Sequence, residues 1–136
     1  MIKQTARHDP VVTDRAPAPS GAYSQGIVAG DLLFTSGVGG HHPISGRLGA
    51  TVEEQTRQAL HNIEAVLGAR GLGLADVVKA TVHLQDVQRD FAAFNDVYRS
   101  MFDPPYPVRT TVGSTLLGML VEIDVVARFP PTSSTH

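Results

Sequence analysis

Arg109 is the lone cation of the stretch PPYPVRTTVGS, residues 104–114, and Glu122 lies in a second strand-like stretch, LVEIDVVA. A guanidinium is a planar fork that grips a carboxylate through two parallel hydrogen bonds, and a carboxylate orients a water or takes its proton. Hydroxyls at Tyr23, Ser36 and Thr111 add short polar groups. Together they suit a small anionic substrate attacked by water. The competing possibility is a cross-strand ion pair between Arg109 and Glu122, worth about 0–1 kcal/mol if exposed. Spacing alone leaves both open.

Other constellations fail on their spacing. His41 and His42 are adjacent, no His-Glu-x-x-His occurs, and His8 and His136 fall in terminal arms, so no metal site is expected. His61 reads as a helix-surface residue. GVGGHH brings Gly37, Gly39 and Gly40 together but has neither the dinucleotide fingerprint nor a Walker lysine, and reads as a turn with close backbone approach. No Gly-x-Ser-x-Gly is present, and no histidine is placed to activate Ser36.

The composition removes further classes. With no cysteine, disulfides, thiolate nucleophiles and cysteine-bound zinc are excluded, and a reducing compartment, the cytoplasm, is the expected location. A net charge of −2 gives no global field to draw in nucleic acid or an anionic membrane, and 6% aromatics form no aromatic–basic motif. The start, MIKQTARHDP, has no apolar stretch to act as a signal peptide, and no apolar run approaches the roughly 20 residues of a membrane span.

The elements that must position the polar residues follow from periodicity. At 136 residues and 42% hydrophobic content, one domain is expected over residues 16–129, preceded by an extended arm (1–15) and followed by a flexible tail (130–136). Residues 22–38 read as a hairpin about Ala29-Gly30-Asp31. Thr51 and Glu54 form a capping box for a helix with Ala59, Leu60, Ile63, Val66 and Leu67 on one stripe, stopping near Gly71. A second helix starts near Asp90 and carries Phe91, Phe94, Val97, Tyr98, Met101 and Phe102 until Pro104 and Pro105 end it.

Alternation assigns the strand faces. In residues 77–85, Val78, Ala80, Val82 and Leu84 share one face, and Lys79, Thr81, His83 and Gln85 the other. Val108, Thr110 and Val112 oppose Arg109 and Thr111, while Val121, Ile123, Val125 and Ala127 oppose Glu122 and Asp124. The predicted fold is an α/β mixed sheet with parallel crossovers, antiparallel edges and both helices on its apolar face. Its other face would carry Lys79, His83, Arg109, Glu122 and Asp124 among Phe34, Val38, Leu120 and Val126. Such a face is expected to be covered by copies of the same chain, leaving the ionisable groups in crevices between subunits.

Five segments in order, APAPSGAYSQGI, LLFTSGV, KATVHLQDVQRDFAAFNDVYRSMF, PVRTTVG and VEIDVVA, resemble the RidA/YjgF family of enamine/imine deaminases from about Ala16 to Arg128. The resemblance implies a chorismate-mutase-like α+β fold and a homotrimer with active sites between subunits. It assigns Arg109 to the substrate carboxylate and Glu122 to the attacking water, and places Tyr23, Ser36, Gly37, Asn95 and Thr111 at the pocket. The implied reaction is hydrolysis of 2-aminoacrylate and related imines to 2-keto acids and ammonia. It needs no cofactor or metal, and its only partners are the small-molecule substrate and further copies of the chain, with no nucleic acid or membrane. Thr111 stands where many members have cysteine, Val38 and Gly40 replace a common glutamine and proline, and TLLGML is a short connection. Two other roles stay open: an endoribonuclease or translation inhibitor, and a chaperone-like trimer that binds metabolites without turnover.

Overall fold

The structure is a computed structural model describing residues 8–131, so the first seven residues of the expected arm and residues 132–136 of the expected tail lie outside the described residues. The chain runs β1 (Asp9–Val11), β2 (Gly26–Ala29), β3 (Leu32–Thr35), α1 (Val52–Gly68), a 3-10 turn (Leu74–Asp76), β4 (Val77–Leu84), α2 (Val87–Met101), β5 (Val108–Gly113) and β6 (Val121–Arg128). The strands form one six-stranded sheet in the order β1-β2-β3-β6-β4-β5. The mixed sheet and paired helices agree with the expected fold class. Among the described residues, no helix is long and apolar enough to cross a membrane.

Three details depart from expectation. Residues 9–11, read as part of an extended arm, form an edge strand against β2. Among the described residues only β4 and β5 pair in parallel; β6 enters the middle of the sheet, antiparallel to both β3 and β4, rather than adding an edge. β3 and β4 therefore run the same way without touching, and the α1 crossover steps over the position that β6 later fills. This strand supplies Val121, Ile123, Val125 and Ala127 to the core, each about 1% exposed or less.

Both helices start on a side-chain cap. Thr51 Oγ1 accepts from Glu54 N at 3.2 Å, but the Glu54 carboxylate reaches back to Ala50 N rather than to Thr51, so the expected capping box is only half formed. The helix ends three residues before Gly71, which takes a positive φ of 76° in the turn beyond. Asp86 Oδ1 accepts from Arg89 N, so α2 begins at Val87, nearly a turn before Asp90. Phe94 and Tyr98 face the sheet and are buried, whereas Phe91 at the edge of the stripe is exposed.

Register decides the faces, and it overturns several assignments. An irregularity between Val77 and Lys79 turns Val77 inward and leaves Val78 exposed. Val38 bridges Ile123 and packs with Leu120 against the core, so neither residue belongs on the open face. Arg109 is in register with Ala80 and Thr111 with Val82, both partners being fully buried under the helices. Arg109 and Thr111 thus project to the helix side, and Val108, Thr110 and Val112 to the open side. Glu122 is opposite His83 and Asp124 opposite Thr81 on that open side, where Phe34, in register with Val126, also lies.

Candidate active site

The expected pairing of Arg109 with Glu122 on one face of adjacent strands is therefore incorrect. β4 lies between β5 and β6, which sets the two strands about 10 Å apart. The side chains also leave the sheet in opposite directions. This excludes the cross-strand ion pair within one chain and divides the candidate residues into two groups.

The first group is built on β5 and α2. Arg109 Nη1 donates to Asn95 Oδ1 at 2.8 Å. The guanidinium carbon lies 4.7 Å from the Tyr98 ring centroid, 5.4 Å from Phe94 and 5.7 Å from Phe91. Helical spacing stacks these groups: residues 91, 94, 95 and 98 recur at three and four, so one side of α2 presents three rings and an amide to the edge strand. Rings attract a cation through their quadrupoles and fix its plane. Among the described residues no carboxylate pairs with Arg109, although Arg70, Arg89 and Arg128 all have acidic partners. Thr111 Oγ1 and the Tyr98 hydroxyl are buried on the same side without hydrogen-bond partners among the described residues. Burial raises the Tyr98 pKa, an effect that the positive charge of Arg109 partly offsets.

The second group surrounds a cavity of about 820 Å³ lined by Tyr23, Ser36, Gly37, His41, His42 and Glu122, among others. Glu122 lies against Gly37, and a Cβ at that position would sit 2.8 Å from the Glu122 carboxyl carbon; only glycine leaves the carboxylate its place. Ser36 N donates to Gln25 O, tying the start of this loop to the strand entry. Tyr23 curls back so that its hydroxyl accepts from Ser20 N. On the neighbouring open face, burial pushes the Asp124 carboxyl above the usual range, while His83 and Lys79 pull it back.

The structure thus brings Tyr23, Ser36, Gly37 and Glu122 together, and separately brings Arg109, Asn95 and Thr111 together. The sequence reading missed three buried amides behind the cavity. Gln25 accepts from Thr13 N and donates to Thr13 O and Pro17 O, pinning the incoming strap. Asn62 donates to Gly39 O and His41 O. Gln55 donates to Gly49 O and accepts from Leu120 N. The signal for the last two was present, because Gln55 and Asn62 interrupt the apolar stripe of α1 at residues 55, 59, 62 and 66.

Comparison with known proteins places this arrangement among relatives. A family model described as endoribonuclease L-PSP matches residues 13–129. A RutC family protein of Saccharolobus solfataricus is 42% identical over 121 residues, covering 87% of this chain and 95% of its own. A protein of Capra hircus named 2-iminobutanoate/2-iminopropanoate deaminase is also 42% identical over 121 residues, covering 86% of this chain and 87% of its own. Among solved structures, Escherichia coli TdcF with bound serine superposes with a TM-score of 0.84 at 36% identity, covering 90% of this chain and 99% of that one.

Proposed function

The chain belongs to the RidA/YjgF family, and on that premise we propose that it hydrolyses 2-aminoacrylate and related 2-imino acids to 2-keto acids and ammonia. The observation that carries this reading is a cation already oriented and still free to bind an anion: Arg109 is held by Asn95 and three rings, with no carboxylate partner among the described residues. A half-buried charge without a counter-ion is costly, and a ligand carboxylate supplies one through a bidentate contact. TdcF, a structural relative, was solved with bound serine, an amino acid with such a carboxylate.

The chemistry asks little beyond placement. An imine protonated at nitrogen and 2-aminoacrylate protonated from water at C3 give the same iminium, whose carbon next to the carboxylate is electrophilic. Glu122 takes a proton from water as the oxygen bonds to that carbon, giving a carbinolamine. Glu122 returns that proton to nitrogen and then takes the hydroxyl proton as the C–N bond breaks, which releases ammonia and leaves the keto acid. Tyr23, Ser36 and the Gly37 backbone border the space in which the oxygen forms.

One chain alone does not suffice for this reaction. A 2-imino acid is too short to reach from the helix-side face at β5 to the open face at β6 through a packed sheet. The reading therefore needs two copies, one contributing Arg109 and Asn95 and the other Glu122, Tyr23, Ser36 and Gly37, in a homotrimer with sites at the seams. The open face, with Phe34, Val108 and Val112 exposed beside Lys79, His83 and Asp124, suits such contact.

The test generates 2-aminoacrylate with a serine dehydratase and follows keto-acid release. The wild type should accelerate release, while Arg109→Ala should lower its kcat/KM by about 30-fold or more, as expected for loss of a charged partner worth 2–5 kcal/mol. Equal acceleration by both proteins overturns the assignment.

A further inference from the structure

Resting on the deaminase reading of this site, we infer that Gln55 and Asn62, two buried amides of α1, are positioning residues that hold Glu122 at its working place through the main chain of two loops. Asn62 is 0% exposed and Gln55 5%. An amide buried there costs free energy unless its polar atoms are bonded. Both Asn62 hydrogens are taken, by Gly39 O at 3.1 Å and His41 O at 2.8 Å, and its oxygen accepts from Gln58 Nε2 at 2.9 Å. Gln55 accepts from Leu120 N and donates to Gly49 O, both at 2.8 Å. None of these loop contacts serves the helix itself.

The two amides grip opposite ends of one mechanical path. Residues 39–41 lie flat on α1: a Cβ on Gly40 would fall 2.4 Å from Gln55 O, so the loop touches the helix backbone. From there the chain runs back to Val38, whose N and O both bond Ile123, fixing Gly37 against the Glu122 carboxylate. From the other side, Gln55 Oε1 accepts from Leu120 N, two residues before Glu122, and Gln85 N donates to the same residue's carbonyl oxygen at 3.0 Å. A leucine or methionine would fill either amide's volume, but it would leave the loop carbonyls and Leu120 N without these partners and release the loops.

The experiment compares Asn62→Leu and the near-isosteric Gln55→Met with Ile63→Val, a core change on the same helix that removes no hydrogen bond to either loop. The two readouts are steady-state keto-acid release and amide hydrogen exchange across residues 37–41 and 120–122. In the amide variants kcat should fall by up to about 10²-fold. KM should move less than about threefold, because the carboxylate is held by the other group of residues. Exchange in both segments should quicken. Retention of kcat in folded variants overturns the inference, as does an equal kcat loss in Ile63→Val at a matched thermal midpoint. If the wild type shows no deaminase activity, the function falls and exchange still judges the positioning: unchanged protection in both amide variants overturns it.

Discussion

The Tyr98 hydroxyl is buried without a hydrogen-bond partner among the described residues, and its ring is the closest of the three to the Arg109 guanidinium. A buried hydroxyl with no partner keeps its desolvation cost, so its removal loses nothing in the fold. Tyr98→Phe is expected to leave stability within about 0.5 kcal/mol or raise it, and to keep the ring under the guanidinium. Urea unfolding alongside keto-acid release checks this; a loss of more than about 1.5 kcal/mol would show that the hydroxyl has a partner after all. Gly37→Ala tests the other group. The added methyl meets the Glu122 carboxyl group, so kcat should fall by about 10²-fold while Arg109 still binds the carboxylate and KM stays near the wild-type value. An active Gly37→Ala enzyme would show that the carboxylate can move aside for the methyl without losing its place in the chemistry. In the sequence, spacing left Arg109 and Glu122 open between a site and an ion pair, and the family resemblance supplied the roles expected of them and of Gly37. Their grouping could not be read there, since it depends on register.

At the scale of elements, alternation sorted β5 and β6 correctly into two sets, but it put Val78 of β4 on the wrong face and misjudged which set faced the helices in β5. Val108, Thr110 and Val112 look like an inward set, but β5 is an edge strand whose facing is dictated by its parallel pairing to β4. Apolar character is a weak guide on an edge strand, where Val108 and Val112 stay exposed on the open side. The bulge after Val77 is equally hidden in a run of valines. Central strands were easier to read, because β6 is buried on one side along its whole length and its alternation is unbroken. The open side also makes a prediction about pH. Burial raises the Asp124 pKa above its ordinary value of 3.8, with Lys79 and His83 offsetting part of the effect. The folded chain thus binds this proton more tightly than the unfolded chain. Stability linked to Asp124 is greatest at low pH, falls as pH rises from 3.8 through the raised folded value, and is level above it. Asp124→Asn is therefore expected to raise the thermal midpoint at pH 7 and to leave it unchanged near about pH 3, where both side chains are neutral. A midpoint gain equal at both pH values would remove burial of the charge as its cause.

For the whole molecule, the decisive feature is that Arg109 and Glu122 leave opposite faces of one sheet, so neither a longer side chain nor a rotamer change unites them. If the working site joins two copies, two inactive variants should complement each other. Arg109→Ala subunits keep a sound Glu122 group, and Glu122→Gln subunits keep a sound Arg109 group. When the two are unfolded together and refolded in equal amounts, each seam receives one subunit's arginine group and its neighbour's glutamate group at random. About a quarter of the seams then combine two intact groups, and activity should return to about that fraction of wild type. Each variant refolded alone should stay inactive, and so should the two mixed without unfolding, provided subunits exchange slowly. The quantitative outcome separates the alternatives: a site contained within one subunit gives no recovery at any mixing ratio, whereas a shared site gives recovery that peaks at equal amounts and falls symmetrically on either side.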